Sequence, residues 1–82
     1  MEIAQQINNF IIDNFMMGRS PEELTEDDSL LEKGIIDSTG VLELVSFIEE
    51  TYGFTVEDDE LVPENLDSVN KLVNYINRKR QH

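Results

Sequence analysis

The sequence of 82 residues contains no cysteine and no tryptophan, and it has a single histidine. Without cysteine there is no disulfide, no thiolate ligand for zinc and no thiol nucleophile. The one histidine, His82, is the last residue, where side chains are seldom held in place, so a Ser-His-acid triad is not expected. These absences predict a protein that has no catalytic machinery of its own and is not an enzyme.

Long apolar runs and basic residues are also scarce. The apolar runs are only a few residues long, which argues against a membrane-spanning helix, and residues 1–6 lack the basic-then-apolar pattern of a signal peptide. Six basic residues against eighteen acidic ones give a net charge of -12. Such a charge repels nucleic acid and anionic membranes and attracts basic protein surfaces, unless it serves solubility alone. We therefore expect a cytoplasmic protein with protein partners, and by default a monomer.

Apolar residues recur at helical spacing in four segments, while no partner is visible for the single strand-like stretch at 54–56. The predicted helices are 2–17 before a stop at Gly18, 38–52 before Gly53, a short helix in the acidic segment 57–62 stopped near Pro63, and a final helix from a cap at Asp67 or Ser68 to about Arg80. Residues 1–82 are thus predicted to form one all-α domain. It is a small bundle of three main helices plus one short helix, with a long loop between the first and second helices.

The connection 18–37 is long for so small a domain, and such connections are often functional. It contains two helix-start patterns, Ser20-Pro21-Glu22-Glu23 and Thr25-Glu26-Asp27-Asp28, either of which predicts a single turn. Five apolar residues are expected to hold this loop against the core: Leu24, Leu30, Leu31, Ile35 and Ile36.

Asp37 and Ser38 stand immediately before the apolar pattern of the second helix. The first N–H groups of a helix lack internal acceptors and its dipole is positive there, so a phosphate on the Ser38 hydroxyl would be stabilised. Asp37 has two candidate roles: it can cap the helix, or it can help to bind a divalent metal in an enzyme that modifies Ser38. From the pair alone, simple capping is the favoured interpretation, because Asp-Ser is a common helix-start signal that needs no chemistry.

Two further interpretations concern the acidic residues. The clusters Asp27-Asp28 and 57–60 lack the alternating ligands and central glycine of a calcium-binding loop, so no dedicated metal site is predicted. A non-covalent acidic protein-interaction module, in which Asp37-Ser38 serves only as a cap, remains an alternative function.

The Asp37-Ser38 step belongs to a longer pattern that spans most of the chain. Its members are Asp28-Ser29-Leu30-Leu31, Gly34-Ile35-Ile36-Asp37-Ser38, Val41-Leu42-Glu43-Leu44-Val45, Glu49-Glu50, Phe54, Val56-Glu57-Asp58-Asp59, Leu66, Ser68-Val69 and Leu72-Val73-Asn74-Tyr75-Ile76. With these residues the chain resembles the acyl carrier protein family. The resemblance implies that Ser38 carries a 4'-phosphopantetheine arm, which a separate magnesium-dependent phosphopantetheinyl transferase takes from coenzyme A. The absence of cysteine then has an explanation, since the cofactor brings the sulfur that holds the cargo as a thioester.

The same resemblance implies that the second helix is the surface that partner enzymes recognise. The residues implied for partner contact, together with Asp37 beside the serine, are Thr39, Leu42, Glu43, Ser46, Glu49, Glu50, Val56 and Asp58. From the residues alone, Leu42 is equally a core residue, and the glutamates are equally a solvated helix face. The implied partners are the transferase, an acyl or aminoacyl ligase, and synthase enzymes with basic docking surfaces.

Thr39 and Gly40 depart from the commonest pattern of this family, which has leucine after the serine. Asp-Ser-x-Gly is similar to D-alanyl carrier proteins and to some free-standing carriers of amino acids. Gly40 falls in the first turn, where the cost of glycine in a helix, about 1 kcal/mol, is least damaging. We therefore expect a carrier of acyl groups for fatty acid, specialised lipid or polyketide-type biosynthesis, with an aminoacyl carrier of the D-alanyl or peptidyl type as the alternative.

Overall fold

A computed structural model of the chain describes residues 3–20, 22 and 24–80, and all regular structure within them is helical. The helices are α1 (Ile3–Phe15), α2 (Ser38–Tyr52), α3 (Pro63–Leu66) and α4 (Val69–Arg80), with a 3₁₀ turn at Asp58–Glu60 before α3. The predicted all-α bundle, with three main helices, one short helix and a long loop after the first, is confirmed. None of the helices in the described ranges has the length and apolarity needed to cross a bilayer.

The first helix ends two residues earlier than predicted. Ile7 and Ile11 are fully buried one turn apart, and the last backbone hydrogen bond of this segment runs from Met16 N–H to the Ile12 carbonyl at 3.3 Å. A turn then closes around Gly18, whose φ of 82° favours glycine. The predicted first residue, Glu2, lies outside the described residues.

The predicted bounds of α2 are confirmed. Its C-terminal end is Gly53, which adopts a left-handed conformation with φ 73° and donates its N–H to the Glu49 carbonyl at 3.0 Å. Leu44 and Ile48 are fully buried and fix which face of α2 packs inward.

The prediction of a helix at 57–62 that stops near Pro63 is wrong, because Pro63 begins α3 instead. Proline has no N–H to donate and is well suited to a first helical position, whereas inside a longer helix it would clash with the preceding turn. The acidic segment therefore forms only the 3₁₀ turn, which is closed by a hydrogen bond of 2.9 Å from Glu57 N–H to Glu60 Oε1.

The last helix is capped by Ser68, whose Oγ accepts a hydrogen bond from Lys71 N–H at 3.1 Å. Asp67, the other predicted cap, does not cap α4, because its carboxylate accepts hydrogen bonds from Ser29 and Leu31 of the long loop. The inward face of α4 is largely or fully buried along its length: Val69, Leu72, Tyr75 and Ile76. It packs mainly against α3 and α1.

The long loop is held to the core by most of the predicted residues: Leu24, Leu30, Ile35 and Ile36 are buried. Leu31 is the exception, at 43% exposed. Of the two helix-start patterns, the second forms a turn in which Asp28 Oδ2 accepts a hydrogen bond from Thr25 N–H at 3.0 Å. In the first, Ser20 Oγ accepts from Glu22 N–H at 3.3 Å, and Pro21 and Glu23 lie outside the described residues.

Candidate functional site

Ser38 is the first residue of α2, and its side chain is exposed. The cap of the helix is Asp37, whose Oδ1 accepts a hydrogen bond from Gly40 N–H at 2.8 Å. The Asp37 carbonyl accepts from Val41 N–H at 2.9 Å and opens the helical series. Because Asp37 performs the capping, the hydroxyl of Ser38 is not needed to begin the helix.

The start of α2 is a favourable place for a phosphate. The hydrogen bonds of the helix begin at Val41 N–H, so the N–H groups of Ser38 and Thr39 come before the first of them, and the dipole of the helix is positive at this end. A phosphodiester on an exposed first-turn residue gains about 0.3–1 kcal/mol from such a field. The donor chemistry of this end of α2 therefore fits a phosphate-linked group on Ser38.

Gly40 allows α2 to begin close to the loop. A Cβ atom at this position would lie 2.5 Å from Ile36 Cγ1 and 3.1 Å from Phe15 Cε1, so no larger side chain fits without movement. From the sequence alone, Gly40 is only a tolerated cost in helix propensity and a member of the Asp-Ser-x-Gly step. The structure shows that it is needed for the packing that places Asp37 and Ser38.

An apolar cleft of about 230 Å³ opens beside Ser38, between α2 and the segment around α3. Six apolar residues that line it are Leu31, Ile36, Val41, Leu61, Val62 and Leu66. Leu31 and Leu61 are 43% and 37% exposed, so a hydrophobic edge lies close to the serine. Sequence reasoning did not predict this cleft, because its walls come from segments whose pairing is not visible in the sequence.

Most of the residues predicted for partner contact are exposed, as such contact requires: Asp37, Thr39, Leu42, Glu43, Ser46, Glu50 and Asp58. Leu42 is the most informative of them, since its side chain is 61% exposed while Leu44, two residues on, is fully buried. Leu42 is therefore available for contact with another protein, although single exposed apolar side chains are also common on protein surfaces.

Glu49 and Val56 contact each other instead of forming a free surface. Val56 is only 8% exposed and belongs to the core, which corrects its prediction as a partner contact. The reason is local: in the irregular segment 54–57, Thr55 and Glu57 are exposed while Val56 between them is buried. Glu49 Oε2 accepts a hydrogen bond from Val56 N–H at 2.8 Å and thereby fastens this segment to α2.

Glu60 fastens the wall of the cleft that contains Leu61. Its Oε1 accepts hydrogen bonds from Glu57 N–H at 2.9 Å, from Tyr75 Oη at 3.0 Å and from Lys79 Nζ at 2.8 Å. The bond from Lys79, followed by that from Glu57, lowers the pKa of the Glu60 carboxyl to about 2. Burial, and then the neighbouring Glu60, raise the pKa of the Tyr75 hydroxyl.

Among residues 3–20, 22 and 24–80, no group of three or more His, Asp or Glu side chains is arranged to hold a metal ion. His82, considered above as a triad member, lies outside the described residues.

Comparison with known proteins relates this geometry to a family. The model of a family described as "phosphopantetheine attachment site" matches residues 16–76. The chain is 32% identical over 75 residues to a D-alanyl carrier protein of Streptococcus suis, covering 89% of each. It is 29% identical over 80 residues to an acyl carrier protein of Chlamydia trachomatis, covering 98% of this chain and 99% of the relative. The solution NMR structure of a holo acyl carrier protein from Nitrosomonas europaea has 25% sequence identity, full coverage of both chains and a TM-score of 0.79.

Proposed function

This chain belongs to the acyl carrier protein family of phosphopantetheine-bearing proteins, and from that premise we propose that Ser38 is the residue to which the arm is attached. The chain is a carrier with a covalent 4'-phosphopantetheine, and partner enzymes act on it. The proposal rests on the different roles of two neighbouring residues at the start of α2. Asp37 caps the helix, and Ser38 is exposed at the same end and is not needed for capping.

In the attachment reaction this chain needs to supply only the nucleophilic hydroxyl. The Ser38 Oγ forms a bond to phosphorus, the pyrophosphate bond of coenzyme A breaks, the nucleotide half leaves, and the hydroxyl proton is lost. The chain supplies an accessible hydroxyl at the positive end of a helix, and the transferase supplies the remaining groups. The attached arm then supplies the thiol that holds the cargo as a thioester.

The proposed contact surface for partner enzymes is the exposed face of α2 with the nearby 3₁₀ turn. Its members are Thr39, Leu42, Glu43, Ser46, Glu50 and Asp58. An exposed leucine surrounded by carboxylates suits a partner whose docking site combines an apolar pocket with basic residues. The net charge of -12 favours such partners over anionic ones.

For the cargo, we propose an acyl group of fatty acid, specialised lipid or polyketide-type biosynthesis. An aminoacyl cargo is the second candidate, and two observations favour it: the identity to a D-alanyl carrier protein, and the Asp-Ser-x-Gly step in which Gly40 is packed against Ile36.

The attachment site is tested by intact mass. The protein is incubated with coenzyme A, magnesium and a broad-range phosphopantetheinyl transferase, and we expect a mass gain of one arm. Ser38→Ala abolishes the gain, whereas Ser20→Ala, which alters an exposed serine outside α2 and outside the proposed contact surface, keeps it. No gain in the wild-type protein, under conditions that modify a known carrier, would refute the proposal, and a gain that survives in Ser38→Ala would move the site.

A further inference from the structure

Asp67 connects two parts of the chain that are far apart in sequence. It lies between α3 and α4 and is half-buried. Its Oδ2 accepts a hydrogen bond from Ser29 Oγ at 2.5 Å, its Oδ1 accepts from Leu31 N–H at 3.0 Å, and its carbonyl accepts from Leu30 N–H at 2.8 Å. The α4 cap comes from Ser68, so the Asp67 carboxylate is used for the loop.

From Leu30 the hydrogen bonds continue to the start of α2. Leu30 is fully buried, and its carbonyl accepts from Ile35 N–H at 3.0 Å and from Ile36 N–H at 3.3 Å. Ile36 in turn lies against Gly40 and directly precedes Asp37, the cap of α2. A continuous path therefore joins Asp67 to the residues that place Ser38.

The carboxylate of Asp67 satisfies donors that would otherwise be left in a partly buried turn. Ser29 Oγ also accepts from Glu32 N–H at 3.1 Å, so the orientation of this hydroxyl supports the turn that follows. Removing the carboxylate leaves the partly buried Ser29 hydroxyl and the exposed Leu31 N–H without their acceptor, so that both must bond to water instead. We therefore expect the loop to open more often.

We propose that Asp67 is a positioning residue for the modification of Ser38: it keeps residues 29–36 closed and thereby holds the start of α2 in the geometry that the transferase recognises. The inference rests on the proposed attachment at Ser38. It concerns recognition and not chemistry, because Asp67 acts through the loop. When only a fraction of the molecules has the competent loop, apparent affinity for the transferase falls by that fraction, while turnover of the bound complex is unchanged.

The test compares Asp67→Ala with Asp67→Asn in steady-state kinetics of the transferase, using the full chain as the varied substrate. We expect Asp67→Ala to raise KM about fivefold to tenfold with kcat unchanged, since two hydrogen bonds to the loop are lost. Asp67→Asn should stay within about twofold of wild type, because its Oδ1 still accepts from Leu31 and its Nδ2 can donate to Ser29 Oγ. Amide hydrogen exchange at Leu30, Leu31, Ile35 and Ile36 should accelerate in Asp67→Ala alone.

Two control variants separate this role from charge and from global stability. Asp13→Ala removes an exposed carboxylate of α1, outside the proposed contact surface, and should leave KM unchanged. Ile11→Val weakens the core in α1, and it too should leave KM unchanged at a temperature where circular dichroism shows every variant folded.

Each deviation from these results is decisive. An unchanged KM in Asp67→Ala overturns the inference. An equal rise of KM in Ile11→Val overturns it too, since that would point to stability, and so does an equal rise in Asp13→Ala, since that would point to charge. If the wild-type protein accepts no arm, attachment itself fails. If it does and Asp67→Ala exchanges its loop amides no faster, only the positioning role fails.

Discussion

Helices α2 and α4 are of similar length, 15 and 12 residues, but they use their charged side chains differently. In α4 the basic residues of the last turn bind groups of the same molecule: Lys79 Nζ lies 2.8 Å from Glu60 Oε1, and Arg78 Nη2 donates to Asn65 Oδ1 at 2.7 Å. These cations also lie where they offset the helix dipole. The basic residues in the last turn of α4 therefore serve the fold.

The charged face of α2 is left open. Within the part of the chain that the structure describes, no hydrogen bond or ion pair involves the carboxylates of Glu43 and Glu50, and both residues are exposed. Leu42 lies beside them with most of its side chain in solvent. The difference indicates that α4 serves the packing of the bundle, whereas α2 leaves Ser38 and its surroundings exposed for the proposed partner contacts.

The strongest test of this contrast truncates one leucine on each helix. Leu72→Ala in α4 removes a fully buried side chain and should lower the free energy of unfolding by about 2–5 kcal/mol. Leu42→Ala in α2 should change it by less than about 0.5 kcal/mol, because the side chain is exposed. Urea denaturation measures both.

Leu42→Ala, the variant with the smaller effect on stability, should have the larger effect on modification by the transferase. Leu42→Ala is expected to raise the KM of the transferase reaction at a temperature where the protein is fully folded, since an apolar contact with the enzyme is lost. A stable Leu42→Ala protein that is modified with unchanged KM would remove Leu42 from the proposed contact surface.

A second, smaller effect is expected where α2 meets the loop. Gly40→Ala places a Cβ within 2.5 Å of Ile36 Cγ1, and overpacking of this kind costs about 1–3 kcal/mol. Helix propensity alone predicts the opposite sign, since alanine is favoured over glycine by about 1 kcal/mol. The sign of the change in thermal unfolding midpoint therefore distinguishes packing from propensity, and a stabilised Gly40→Ala protein would contradict the close approach.

The sequence predicted what depends on local signals. The bounds of α2 follow from the cap at Asp37 and the glycine stop at Gly53, and the helical pattern predicted most buried positions. Two errors had a common cause: in the segments around Val56 and Pro63, burial and helix start depend on how a short irregular segment folds back onto a helix. Single-sequence patterns carry little information on such contacts.

The contacts that form the cleft and close the loop could not be predicted from the sequence either, because they join segments that are far apart in the chain. Asp67 and Ser29 are 38 residues apart, and nothing in either neighbourhood indicates that they form a hydrogen bond. Gly40 is visible in the sequence as a glycine inside a helical pattern. Its role in packing could be recognised only from the positions of Ile36 and Phe15 in the structure. The sequence points to Ser38 as the candidate, and the structure was needed to show how Ser38 is held.

Glu60 provides a pH-dependent test on the α4 side. Its pKa of about 2 in the folded protein lies below the ordinary value of 4.5, so its contribution to stability is complete above about pH 4.5 and is lost as the pH falls towards 2. Glu60→Gln should cost about 1–2 kcal/mol at pH 7, because charge-assisted hydrogen bonds are replaced by neutral ones. The gap between wild type and variant in urea denaturation should narrow below pH 4.5, and a gap that is constant from pH 7 to pH 2.5 would contradict this role.

The smallest expected effect concerns the open carboxylates of α2. If they attract basic partners, kcat/KM for the transferase should fall as ionic strength rises, since exposed charges are screened over about 8–10 Å at physiological salt. In a double variant that combines Glu43→Gln and Glu50→Gln, kcat/KM should be a few-fold below the wild-type value at low salt. The two values should converge at high salt. The matched pair Asp13→Asn and Glu26→Gln removes two exposed carboxylates from outside α2 and should remain close to wild type. An equal loss of kcat/KM in both double variants would show that net charge attracts the partner. It would contradict a specific role for the carboxylates of α2.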